Sequence, residues 1–220
     1  MDLFSPFRIG PLDLPNRVVM APMTRSRWAH DDLVPIYYAQ RAAAGLLVSE
    51  STSVGPLSVS RPHSSRMDDD SWIARWGAVC DAVHAANGRI FQQLYHLGRK
   101  SDPSRLPAGA PPVAPSAIAA TGQVMGANGM VDFALPHALA TDEVGDIVAQ
   151  FRAAAVRSKA AGFDGVELHG ANAYLVDQFL RDGTNRRSDI YGGPIANRAR
   201  FLLEIVDAMS EVFGPDRIGV

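Results

Sequence analysis

The sequence predicts an α/β fold built on a parallel sheet, of the TIM (β/α)8-barrel type in preference to a doubly wound sheet. Three observations carry this reading. Short apolar runs alternate with helical stretches along most of the chain, and those runs are continuously apolar, as strands covered on both faces must be. Polar residues suited to chemistry follow the ends of several different strands, which fits a barrel mouth. Finally, no G-x-G-x-x-G follows the first strand, so the dinucleotide site of a Rossmann fold is not supported.

The elements follow in order. Residues 1–16 place Leu3, Phe4, Phe7, Ile9, Leu12 and Leu14 around the turn pair Gly10-Pro11, which predicts a small hairpin or plug. A β-branched run at 17–21 is stopped by Pro22 and reads as the first strand, with Met23, Thr24 and Arg25 opening the loop beyond it. A helix is expected over 37–44, closed by Gly45, and the second strand over 46–50. Residues 51–70 show no clear period. Ser71 then precedes Ile73, Trp76, Val79, Cys80 and Val83, spaced three and four apart along a helix that stops at Asn87-Gly88. Cys80 sits on that stripe and reads as a core thiol. The third strand covers 89–94 and delivers Gln93, Tyr95 and His96 to its carboxyl end.

Residues 98–137 are rich in Pro, Gly, Ala and Ser, and a connection of that length predicts an excursion over the barrel mouth. Thr141 is expected to cap a helix whose inner face is Val144, Ile147, Val148, Phe151 and Ala155, ending at Gly162. The apolar run 166–168 is the fourth strand, and it breaks at once into His169, Gly170, Asn172 and Tyr174. Pro194 suits the first turn of a last helix carrying Phe201, Ile205, Ala208, Met209 and Val212 inward, and 217–220 begins a fifth strand.

Composition narrows the function classes. The 220 residues carry 21 basic and 23 acidic side chains, a net charge of −2, so no global field recruits nucleic acid or an anionic membrane. The single cysteine cannot form an internal disulfide, the N-terminus lacks a secretory pattern, and no apolar run reaches the roughly 20 residues of a membrane span, so a cytoplasmic location is expected. No metal-ligand cluster is evident.

The site candidates have definite chemistry. Tyrosine ionises near pH ~10, so Tyr174 is protonated at neutral pH and can give a proton to a developing carbanion. His169 and Asn172 carry N–H donors three residues apart on one loop and can hold a carbonyl or nitro oxygen as charge develops on it. Gln93 offers a donor and an acceptor, as the edge of a flat heteroaromatic ring requires, and Thr24 adds a hydroxyl.

Six segments in collinear order, APMTR at 21–25, YYAQRA at 37–42, GRIFQQLYHLGR at 88–99, APPVAPSAI at 110–118, GFDGVELHGANAYLVDQFL at 162–180 and TNRRSDIYGGPIANRARFLLE at 184–204, closely resemble the old yellow enzyme family of flavin-dependent ene-reductases. The resemblance implies a TIM barrel with FMN at its mouth, reduced by NADPH or NADH and reoxidised by an activated alkene such as an enone, maleimide or nitroalkene. It implies that Pro22, Met23, Thr24, Ser51 and Gln93 meet the flavin, that His169 and Asn172 hold the substrate's activating oxygen, and that Tyr174 protonates the α-carbon. A flavin reductase of the dienoyl-CoA type is the nearest enzymatic alternative.

Departures from the family pattern are informative. Ser51 stands in place of Ala or Gly, Tyr95 in place of a common Trp, and Ala173 in place of the usual Gly, which constrains the backbone wherever positive φ is needed. Relatives continue past RIGV into a flavin-facing Arg and three further strands whose loops bind the FMN phosphate. A chain ending at Val220 is therefore expected to be a barrel truncated after about its fifth strand, with an open edge that a partner or a second copy would cover, and in the extreme an inactive half-barrel that does not hold FMN.

Overall fold

The computed structural model describes residues 2–220. An antiparallel hairpin comes first, β1 (Phe7–Ile9) and β2 (Leu12–Leu14), turned at Gly10 with φ 51°. Its alternation leaves Leu12 and Leu14 buried, where they cluster with Leu46 and Phe91 at the starts of two sheet strands. β3 (Val19–Met20) leads through a loop to α1 (Leu33–Ala39), then to β4 (Leu46–Val48) and the short β5 (Thr52–Ser53). α2 (Ser71–Ala85) returns the chain to β6 (Ile90–Tyr95). The segment after β6 holds three 3-10 turns, β7 (Val113–Ala114), a hairpin of β8 (Gln123–Gly126) with β9 (Gly129–Asp132), and β10 (His137–Ala138), which pairs in parallel with β7. α3 (Thr141–Ala160), β11 (Gly165–Leu168), α4 (Leu175–Leu180), α5 (Ile195–Phe213) and β12 (Ile218–Gly219) complete the chain.

The central sheet runs β12-β11-β6-β4-β3, with β5 added beside β6, and every pairing in it is parallel. Parallel neighbours need crossovers, and the helices supply them. The main core lies between strands and helices. Trp76, Val79 and Val83 of α2, Phe151 and Ala154 of α3, and Phe201, Ile205 and Met209 of α5 pack there with Leu47, Ile90, Leu94 and Val166. Cys80 is 1% exposed in this core, and burial pushes its thiol far up, so it stays protonated and inert.

Two local expectations are corrected. α1 lies over 33–39 instead of 37–44: Pro35 falls in its first turn, where a missing N–H costs nothing, and residues 41 and 42 already bond back only three residues, to Tyr38 and Ala39. Thr141 does not cap α3; Ala140 holds that position, its N–H is taken by Glu143 Oε2 at 2.6 Å, and the Thr141 hydroxyl donates to Asp189 Oδ2 at 2.6 Å. Residues 51–70, which show no clear period, are fastened to the sheet by β5 and a bridge between Ser53 and Arg66.

Directly after β6 comes His96, 1% exposed. Its Nδ1 accepts the Gly98 N–H at 3.1 Å, its Nε2 has no protein partner, and burial lowers its pKa to about 3. The folded pKa lies below the ordinary 6.5, so the unfolded chain takes up a proton that the buried ring refuses. His96 therefore favours the fold fully above pH 6.5, and that contribution is lost as pH falls toward 3. Buried Glu50, whose pKa burial raises, works in the opposite sense. Urea unfolding of the chain and of His96→Gln at pH 7 and pH ~5.5, above most carboxylate titrations, is expected to show a larger loss of stability in the wild type than in the variant, which keeps only the smaller contribution of His169.

Candidate active site

β11 pairs with β6 in the register Glu167 to Gln93 and Leu168 to Leu94, and the His169 N–H extends the ladder to Leu94 O at 2.9 Å. Strand geometry then ends. Asn172 and Ala173 both take left-handed conformations, φ 60° and 56°, and turn the chain into α4 with Tyr174 at its N-cap. The corner is pinned from below. Asp177, 7% exposed, accepts the Ala173 N–H through Oδ2 at 2.8 Å, Gln178 Nε2 donates to Ala173 O at 2.8 Å, and Leu175 N–H reaches His96 O at 2.9 Å.

This corner forms one wall of an open cavity of about 410 Å³. Pro22, Thr24, Ser51, Gln93, His169, Asn172 and Tyr174 all line it, although they come from the ends of four strands. Met23 does not line it. That side chain is 58% exposed, with its sulfur 3.6 Å from Arg25 Nη1. Glu167, which the sequence reading left inside an apolar run, does line the cavity. The alternation apolar Val166, acidic Glu167, apolar Leu168 was the available signal, because alternate strand residues face opposite sides and here one face looks into the site.

The polar groups are oriented by one another. Ser51 Oγ donates to Gln93 Oε1, and Gln93 Nε2 donates to Glu167 Oε1 at 2.7 Å, so the Gln93 amide has one assignment. Ser51 thus acts through its side chain. On the opposite wall, Ala171 N–H donates to His169 Nδ1 at 3.3 Å. Burial lowers the His169 pKa, and the neutral ring then carries its proton on Nε2, 3.3 Å from Asn172 Nδ2. The imidazole Nε2 and the Asn172 carboxamide thus meet edge to edge on the cavity wall. The Tyr174 ring lies 4.7 Å from the His169 ring and 5.8 Å from that of Tyr95, and burial raises its pKa, keeping the phenol protonated. Behind the loop after β3, the carboxylate of Glu50, 1% exposed, accepts from Arg25 N and Ser26 N at 2.9 and 3.2 Å and from Trp28 Nε1 at 3.0 Å. Among the described residues no group of three His, Cys, Asp or Glu side chains is placed to hold a metal ion.

Residues 2–220 match the NADH:flavin oxidoreductase / NADH oxidase family. The chain belongs to the old yellow enzyme family. Among old yellow enzyme relatives it is 43% identical to a flavin oxidoreductase of Emericella nidulans over 99% of this chain and 58% of the relative. It is 41% identical to a probable flavin mononucleotide-dependent alkene reductase of Leishmania infantum, over 99% of this chain and 62% of that protein. Morphinone reductase superposes with a TM-score of 0.94 at 50% identity, covering 98% of this chain and 60% of that one. The old yellow enzyme homologue from Zymomonas mobilis gives 0.94 at 38% identity over 99% and 62%. The fold is therefore that of the TIM-barrel old yellow enzymes, and the chain spans about 60% of the length of the relatives it matches, with five neighbouring parallel strands of the barrel.

Ala173, at a position where the family resemblance implies glycine, adopts positive φ. An L-residue there costs about 1 kcal/mol, of which a glycine would return about half through its looser unfolded chain. Ala173→Gly is expected to raise stability by about 0.5 kcal/mol, and Ala173→Val, β-branched, to lower it by more than ~1 kcal/mol. Urea midpoints at unchanged slope check both.

Proposed function

We propose that this chain carries the ring-binding and catalytic loops of an FMN-dependent, NAD(P)H-using reductase of activated alkenes. The observation that supports it most is the pairing of His169 Nε2 and Asn172 Nδ2, 3.3 Å apart, with the protonated phenol of Tyr174 on one wall of the cavity.

The opposite wall fits a flavin ring by its donor set. Thr24 offers a hydroxyl, Gln93 an oriented amide and Glu167 an acceptor, as the alternating edge of a flat heteroaromatic requires. Pro22, Thr24, Ser51 and Gln93 would hold the ring, with Met23 in the loop segment that carries Pro22 and Thr24. When bound, FMN supplies hydride transfer, accepting it from NADPH or NADH and passing it to the alkene.

The chain's own residues do the rest. His169 and Asn172 hold the carbonyl or nitro oxygen of an enone, maleimide or nitroalkene, and as negative charge gathers there both hydrogen bonds strengthen without any reorganisation. A neutral imidazole is suited to this, because it keeps the Ala171 contact while donating from Nε2. Tyr174 gives its phenolic proton to the α-carbon, and its raised pKa keeps that proton in place until the carbanion forms. Small-molecule alkenes are the expected partners, and the single buried thiol and the near-neutral charge support a cytoplasmic setting. No helix among the described residues is long and apolar enough to cross a membrane. Similarity to an alkene reductase and to a reductase solved with tetrahydroNAD supports the reaction class.

The direct test is optical. The purified chain, supplied with FMN, is expected to be yellow, to bleach with NADPH or NADH without oxygen, and to regain colour with an enone. A colourless protein under these conditions would overturn the reading for this chain. In the active form, Tyr174→Phe is expected to slow alkene reduction by roughly 100-fold or more while flavin reduction is preserved. Equal loss of both half-reactions would remove Tyr174 from the role of proton donor.

A further inference from the structure

Lys100 is a cation that the chemistry above does not use. It closes the short turn of residues 98–100 after β6, and its ammonium donates to the backbone O of Asn172 at 3.3 Å. The same Nζ lies 5.7 Å from the centroid of the Tyr174 ring. No ion pair among the described residues includes Lys100. The acceptor is the carbonyl of the first of the two left-handed residues, so the bond holds the corner from which Tyr174 projects.

The surroundings of Tyr174 make that charge count. His169 beside it is neutral, and Tyr95 on its other side is a buried phenol pushed up to about 12. Asp177 beneath is occupied by the Ala173 N–H and by Arg181 Nε at 2.7 Å. Arg61, from the loop after β5, is the cation whose charge opposes the rise that burial imposes on the phenol. Lys100 approaches the same tyrosine from a separate loop, over the ring, and is the one that bonds the Asn172–Ala173 corner.

We infer that Lys100 is a positioning residue for Tyr174: its ammonium anchors the Asn172–Ala173 corner, and its charge favours the phenolate left when the proton departs. A cation at this range acts on an anion more strongly than on a neutral phenol, so its effect falls on proton release. The inference rests on Tyr174 as proton donor, and its test separates the two ideas.

Difluorotyrosine placed at position 174 of the full chain ionises in the neutral range, where lysine and arginine both stay charged, and absorbance reports that one phenol. Lys100→Gln keeps a donor for Asn172 O without the charge; Lys100→Arg keeps the charge. The midpoint is expected to rise in Lys100→Gln and to stay near wild type in Lys100→Arg. An unchanged midpoint in Lys100→Gln would overturn the inference. This titration needs neither flavin nor alkene, so it stands whatever Tyr174→Phe does to turnover. In the FMN-loaded chain, Lys100→Gln is expected to slow alkene reduction several-fold with flavin reduction unchanged and Lys100→Arg restoring the rate; equal slowing of both half-reactions would count against it.

Discussion

The register between β6 and β11 is the constraint on which the site depends. Because Glu167 lies opposite Gln93 and Leu168 opposite Leu94, the polar pair faces the cavity while Leu94 and Leu168 join the core. A slip of one residue would exchange these faces and bury a carboxylate. The register is held at its lower end by a size match. A side chain on Gly165 would meet Phe91 Cζ at 2.4 Å and Arg217 O at 2.5 Å, so only glycine lets β11 lie between β6 and β12. Phe91 in turn packs on Leu12, Leu14 and Leu46, which ties the N-terminal hairpin to the alignment of residues at the other end of the strands.

A buried carboxylate does similar work on the neighbouring loop. Glu50 satisfies two backbone N–H groups and the Trp28 indole, and the cost of placing it in the interior is visible in its raised pKa. What that carboxylate secures is the path of the chain just after Thr24. Without its acceptor, the amides of Arg25 and Ser26 would need solvent, and the hydroxyl that β3 delivers to the cavity would lose its support.

Much of this was legible in the sequence, for definable reasons. Strands covered on both faces write continuous apolar runs, and chemistry after a strand end writes a sudden change to polar residues, so the order of elements and the convergence of Thr24, Ser51, Gln93, His169, Asn172 and Tyr174 could be read. Glu167 was hidden by the run around it. Met23 lies outside the cavity lining, and adjacency in sequence to Pro22 and Thr24 says nothing about which way a loop side chain leaves the backbone. Lys100 and Asn172 are 72 residues apart, and Glu50 and Trp28 22, separations at which no periodicity connects partners; only the closed topology brings them together.

The left-handed pair at 172 and 173 has a consequence for how this loop can change over time. Asparagine is one of the few residues other than glycine that accepts that conformation readily, and here its amide also meets the His169 ring at 3.3 Å. Position 172 therefore meets two demands at once, one set by the backbone and one by its proposed contact with a substrate's oxygen. Glycine meets only the first. Glutamine offers the same amide but fits the corner poorly. Substitution at this position is restricted from both directions, whereas at Ala173 only the backbone demand applies, and alanine keeps the turn.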